Sequence, residues 1–324
     1  MFETKRFGSV RNADLNVIKV AAIQYGPVYL DLARSVDKAK GLIAKAASLG
    51  ARLIVFPETW LPGYPAWLDC CRDVALWDHP PVKRVFARLM ENSVVVPGPV
   101  TEALGETARE HDVVLNISVH ERVIEGPGRG TLYNTMLTFG ADGSLLSRHR
   151  KIMPTYTERM IWGQGDGSSL RAVDTDAGRV GGLICWEHWM PLARQVLHDS
   201  GEDIHVAAWP QVKEMNLVAS RHYAFEGRCY AIACGAVMKA SELPSELEAI
   251  ESLKENPDSF VLHGGSAIIA PDGSLLAGPV LDEEVILTAD LDLSRIAEES
   301  LALDVTGHYS RPDIFEVKLR HSDT

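Results

Sequence analysis

The chain of 324 residues holds only five cysteines, Cys70, Cys71, Cys185, Cys229 and Cys234. So odd and sparse a set excludes a disulfide framework as the source of stability. Among those cysteines and the eleven histidines there is no CxxC pair and no HExxH pattern, so the familiar metal-ligand spacings are missing and no metal or other cofactor is expected. No uncharged apolar run approaches the roughly 18 residues of a membrane helix. Polar and charged residues, not an apolar stretch, follow Met1-Phe2-Glu3-Thr4-Lys5-Arg6, so no secretory signal is expected. Positive charge is also short: 32 Lys+Arg stand against 44 Asp+Glu, a net charge of −12. That balance argues against nucleic acid as the main partner, because a phosphate-binding surface needs clustered cations. These absences together point to an acidic protein of a reducing compartment, the cytoplasm.

What is present is ordinary globular material, with 46% hydrophobic and 23% charged residues. Val17 to Gln24 is an apolar run of strand length. From Asp31 to Leu49 apolar residues recur at helical spacing and end at Gly50, a residue suited to closing a helix. Ala51 to Phe56 is again strand-like, which completes a strand–helix–strand unit. The alternation continues with a helix over 100–111 and a strand over 112–119. Next comes a hairpin of strands 132–139 and 145–150 around Ala141-Asp142-Gly143-Ser144. Strands are expected at 179–184, 204–209 and 229–237, with helices between them, and a second hairpin turn at Pro271-Asp272-Gly273-Ser274. Residues 241–256 read as a polar surface insertion. No linker separates two cores, so the expectation is one α/β domain over 1–303 followed by a polar tail over 304–324.

Three reactive groups follow three of these strands. Glu58 comes after ARLIVF, Lys151 after the hairpin strand, and Cys185 directly after VGGLI. Sites in α/β folds assemble at the carboxyl ends of strands. A thiol is a weak nucleophile until it loses its proton. Glu58 has the chemistry of a general base for that proton. Lys151 has the charge to hold the resulting anion and the charge that develops on a substrate, and the N–H after Cys185 is a candidate oxyanion donor. Each residue alone has a plainer reading. A cysteine ending an apolar strand is commonly a buried hydrophobe, a glutamate beside proline a turn or cap, and Arg148-His149-Arg150-Lys151 a solvated basic face. A thiol–imidazole pair with His149 or His188 as base is a further alternative.

The wording around all three residues is more specific. Val55-Phe56-Pro57-Glu58-Thr59, His149-Arg150-Lys151-Ile152-Met153-Pro154 and Gly182-Leu183-Ile184-Cys185-Trp186-Glu187-His188 resemble, in order, the glutamate, lysine and cysteine motifs of the nitrilase (carbon–nitrogen hydrolase) superfamily. Cys185-Trp186-Glu187 is similar to the nitrilase branch, where aliphatic amidases have Cys-Tyr-Glu. The segments Leu61 to Pro65, Thr155 to Gly167 and Gly307 to Asp313 also resemble that branch. The resemblance spans about Val17 to Pro312. It implies a four-layer αββα sandwich, with Glu58 as base, Lys151 as cationic stabiliser or acid, Cys185 as nucleophile and Glu158 as a second glutamate that positions the lysine.

The implied reaction is hydrolysis of an organic nitrile to a carboxylic acid and ammonia through a thioimidate and a thioester. Cyanide hydrolysis and amide or carbamoyl hydrolysis by the same triad are the nearby alternatives. A catalytically silent scaffold of the same fold would be expected to have a broken motif, and all three residues are present. Tyr64, Trp186 and Trp209 are candidate walls of an apolar substrate pocket, whereas Trp60 and Trp67 divide evenly between pocket and core. The resemblance further implies homo-oligomers, dimers or larger spirals, with contacts near 241–256 or in the tail.

Overall fold

The structure, a computed structural model, describes residues 17–319. The charged N-terminal segment and the last five residues of the expected tail lie outside the described residues. Two six-stranded sheets dominate. The first runs in spatial order β14 (Val285–Asp292), β1 (Val17–Gln24), β2 (Leu53–Val55), β3 (Val114–Arg122), β4 (Leu132–Phe139) and β5 (Leu145–Arg150). The second runs β13 (Leu275–Ala277), β12 (Ala267–Ile269), β9 (Tyr230–Cys234), β8 (Ile204–Ala208), β7 (Gly178–Ile184) and β6 (Val173–Thr175). In each sheet the middle strands are parallel, β1–β2–β3 and β7–β8–β9, and the flanking strands are antiparallel. A separate two-stranded ribbon joins β10 (Val237–Lys239) to β11 (Phe260–His263).

The period-two alternation of side chains assigns the layers. Val20 and Ala22 of β1, with Leu53 and Val55 of β2, pack against Val206, Ala208 and Ile232 of the other sheet. Their neighbours Ala21, Ile23 and Ile54 point the opposite way, onto Val36, Ala39 and Ile43 of α1 (Leu32–Ser48). The short α2 (Trp67–Cys70) and α3 (Pro80–Glu91) lie next in the chain, and α4 (Pro99–Glu110) adds Leu104 and Ala108 to the α1 layer. On the outer face of the second sheet, Leu183 meets Ala193 and Leu197 of α5 (Pro191–Ser200) and Tyr223 of α6 (Glu214–Gly227). The layer order is therefore αββα. Two short helices, α7 (Glu251–Glu255) and α8 (Ser294–Glu299), complete the described elements.

Local chemistry accounts for the element ends. Asp31 caps α1 by accepting from the Arg34 N–H at 3.0 Å, and Gly50 follows the helix at φ 90°. Some expectations shift. The strand expected over 229–237 stops at Cys234, because Gly235 turns its N–H to Ser266 Oγ at 2.9 Å and the chain restarts as β10. The 241–256 segment is only partly surface, since Leu243 and Leu247 are buried in a third apolar cluster with Trp67 and Val85. Several elements had no counterpart in the sequence reading, among them α3, which starts on Pro80-Pro81, and β14, an edge strand paired antiparallel to all of β1.

Candidate active site

Glu58 and Lys151 leave the carboxyl ends of β2 and β5 in the first sheet, and Cys185 leaves β7 in the second, so the residues meet between the sheets. The basic run that looked like a solvated face splits by alternation. Arg148 and Arg150 turn one way, onto the buried Glu121, which also accepts from Thr135. His149 and Lys151 turn the other way and are both buried. One face of a strand end thus carries a structural ion cluster while the other supplies the site.

Lys151 Nζ donates to Glu58 Oε1 at 2.9 Å and to Glu158 Oε2 at 2.7 Å. An ammonium has three N–H donors, so one remains. Burial works against its charge, but Cys185, Glu58 and Glu158 together outweigh it and raise the lysine pKa. Glu58 is fully buried; burial lifts its pKa to about 7, with Lys151 opposing and Glu158 reinforcing the rise. Its Oε1 also accepts from Asn134 Nδ2 at 2.6 Å, while its Oε2 has no hydrogen-bond partner. Glu158 stands in a short 3₁₀ turn, Tyr156–Met160, where Oε2 accepts the Thr155 N–H at 2.7 Å and Oε1 accepts the Tyr64 hydroxyl at 3.0 Å.

Cys185 sits on a sharp strand-to-3₁₀ turn in the left-handed region, at φ 53°. Burial pushes its thiol pKa well up, and so do the two glutamates; Lys151 and the Trp186 N–H pull it down. Oxygens of Glu58 and Glu158 and the Cys185 Sγ all lie within 4.8 Å of one another. That set has the donor types of a cation site, and the Lys151 ammonium already holds both carboxylates. Cys185 and Glu158 reach the wall of a cavity of about 620 Å³, which Tyr64, Trp186, Met215 and Leu262 also line. Glu58 and Lys151 stand behind that wall.

Two positioning groups escaped the sequence reading. Glu187, quoted there only as part of a motif, is buried and accepts the N–H of Ile184 and of Ile152, each at 2.7 Å, and His149 Nε2 at 2.9 Å. It therefore ties the cysteine turn to the segment that follows Lys151. Burial opposes its charge, but His149 and the two amides outweigh this and lower its pKa. Asn134 is the second, and a polar residue at a buried position of an apolar strand was the available signal. His149 is committed to Glu187, and His188 Nδ1 faces the Cys185 carbonyl at 2.7 Å, so neither imidazole bonds the thiol. This removes the thiol–imidazole alternative.

The aromatic candidates separate. Tyr64 touches Glu158, and Trp186 is 56% exposed at the cavity wall. Trp209 borders the same cavity but is fully buried, stacked on His188 at 4.7 Å and donating to Ser220 at 3.1 Å. Trp60 and Trp67 are core; Trp60 Nε1 donates to the Tyr25 carbonyl at 2.7 Å.

Comparison with known proteins gives the family and the fold. Residues 19–299 match the carbon–nitrogen hydrolase family, to which the chain belongs. Among its relatives is a bifunctional nitrilase/nitrile hydratase, NIT4A, of Lupinus angustifolius, 37% identical over 97% of this chain and 89% of that protein. Nitrilase 2 of an unknown prokaryotic organism is 39% identical over 94% of this chain and 93% of its own length. An aliphatic nitrilase of Sinorhizobium fredii is 37% identical over 92% and 94%. A carbon–nitrogen hydrolase from Helicobacter pylori G27 has the same fold, with a TM-score of 0.70 at 20% identity over 93% of this chain and 97% of that one.

Proposed function

We propose that the protein is a nitrilase that converts an organic nitrile and water to a carboxylic acid and ammonia. The observation that carries this reading is the buried Lys151 bridging Glu58 and Glu158 beside the Cys185 thiol. Relatives with nitrilase names along nearly the whole chain support it.

In this reading Glu58, through its unpartnered Oε2, takes the thiol proton as sulfur attacks the nitrile carbon. The proton passes to the nitrile nitrogen, giving a thioimidate. The remaining N–H of Lys151 stabilises negative charge on that nitrogen. Water adds, ammonia leaves with a proton returned through Glu58, and a thioester remains. A second water releases the acid and restores the thiol. Glu158 holds the lysine and, through Tyr64, the cavity wall. Tyr64 and Trp186 give the substrate an apolar surface, with Trp209 as rigid backing.

Residues 1–303 are assigned to the catalytic unit and 304–324 to contacts within a homo-oligomer. No helix among the described residues is long and apolar enough to cross a membrane. A cytoplasmic setting suits a catalytic thiol that must stay reduced.

The test is turnover of benzonitrile, phenylacetonitrile, a short dinitrile, cyanide and a matching amide, with ammonia, acid and amide each measured. Ammonia from nitriles with acid as the main product is expected. Ammonia from amides alone would overturn the assignment, and turnover of cyanide alone would move it to cyanide hydrolysis.

A further inference from the structure

Beneath the nucleophile lies a buried hydrogen-bond chain that the reaction as written does not use. His188 Nδ1 meets the Cys185 carbonyl oxygen at 2.7 Å, His188 Nε2 meets His205 Nε2 at 3.0 Å, and His205 Nδ1 meets Glu202 Oε1 at 2.9 Å. Tyr223 donates its hydroxyl to the other Glu202 oxygen. All of these side chains are buried. A carbonyl oxygen only accepts, and with both buried imidazoles neutral this fixes every proton in turn. His188 carries its proton on Nδ1, so its Nε2 accepts. His205 then donates from Nε2, so its Nδ1 accepts, and the proton in the last link comes from Glu202.

We propose that Glu202 is a positioning residue for the nucleophile: held as the neutral acid, it orients both imidazoles so that His188 donates to the carbonyl of Cys185 and holds the left-handed turn that presents the thiol. The proposal rests on the nitrilase reading only in taking Cys185 as nucleophile. Loss of the Glu202 proton would leave a carboxylate that only accepts. His205 would then donate from Nδ1 and accept at Nε2, His188 would donate from Nε2, and its bare Nδ1 would face the Cys185 oxygen. Ionisation at one end thus breaks the bond at the other.

The surroundings fit a neutral acid. Burial raises the Glu202 pKa to about 7, against His198 and the Tyr223 hydroxyl. Burial, then the neighbouring His205, lowers His188 to about 3, and burial lowers His205 well below its ordinary value. The titratable and charged groups around the chain are His198, Arg194 and Glu226 toward the helices, Cys229 and Asp203 at the strand ends, and Glu187 on the cysteine turn. The first glycine of the VGGLI run has a reason here too. A Cβ at Gly181 would overlap the Glu202 carboxyl.

The experiment is the pH profile of kcat and KM for wild type, Glu202→Gln and Tyr223→Phe. Glutamine reproduces the neutral acid, because its carbonyl accepts from Tyr223 and its amide donates to His205, but it does not ionise. Wild type should lose kcat on the alkaline side by about tenfold per pH unit, with KM little changed. Glu202→Gln should keep neutral-pH kcat within about threefold and lose that limb. Tyr223→Phe removes a donor that favours the carboxylate, so the limb should move to higher pH. An alkaline limb that persists unmoved in either variant overturns the proposal, as does a folded Glu202→Gln protein inactive at every pH. Should wild type turn over no nitrile, the functional reading fails on its own. The proton on Glu202 is then read by infrared spectroscopy, as a buried carboxylic acid band present at neutral pH in wild type and missing from Glu202→Gln. Absence of that band in wild type also overturns the proposal.

Discussion

Glu187 and His149, on opposite sheets, meet at 2.9 Å and bind the cysteine turn to the lysine strand. With the two amides it also accepts, Glu187 acts as a buried three-way joint rather than a reacting group. Glu187→Gln would set an amide N–H against a backbone N–H or the His149 donor. We expect it to cost about 2–4 kcal/mol of stability and to lower kcat by more than tenfold. Urea melts and steady-state kinetics read the two effects, and a variant of wild-type stability and rate would show that the joint is dispensable.

The acid side of the pH profile should belong to Glu58. As a base it works only when ionised, and burial lifts its pKa to about 7 despite Lys151. Activity should therefore rise as pH climbs through about 7 and fall about tenfold per unit below it. Glu58→Gln should lower kcat by roughly 10²–10⁴-fold and flatten that acid limb. An acid limb retained in the glutamine variant would assign it to another group.

Tyr64→Phe separates contact from shape. The ring remains in the cavity wall, but the 3.0 Å bond to Glu158 Oε1 is lost, which leaves an acceptor of the lysine-holding carboxylate unpaired. The expected result is a kcat drop of about tenfold with a smaller change in KM. A change confined to KM would make the tyrosine purely a substrate contact.

Trp186 and Trp209 should part under mutation. Trp186→Ala removes an exposed wall and should raise KM for apolar nitriles with little change in melting temperature. Trp209→Ala opens a hole under His188 and Ser220 and should cost about 3–5 kcal/mol. Equal melting temperatures for the two variants would contradict this division.

Cys185→Ala should abolish turnover, whereas Cys229→Ala and Cys234→Ala, both fully buried away from the cavity, should lose at most about 1–2 kcal/mol and keep their rate. Product assays and thermal melts on the three variants decide the matter.

The fold was legible where one element carries one strong period. β1, β4 and β5 fall where the apolar runs end, and α1 closes between Asp31 and Gly50. β14 was hidden because an edge strand with only two of its eight residues buried has no long continuous apolar run. Glu58, Lys151 and Cys185 were legible as motifs, yet their composition alone favoured plainer roles. The deciding fact was three-dimensional: alternation along β5 sends His149 and Lys151 inward while Arg148 and Arg150 serve Glu121. Glu202 and His205 stayed invisible because they touch no substrate and their meaning lies in the direction of hydrogen bonds.

With Cys185 as the proposed nucleophile, its left-handed turn sets catalytic competence against stability at a single position. A residue with a Cβ pays roughly 1 kcal/mol or more for that backbone, and glycine does not. Of two inactive enzymes, Cys185→Gly and Cys185→Ala, the glycine form should therefore be the more stable, and the difference measures the conformational cost that natural selection has tolerated to hold one sulfur atom at the cavity wall.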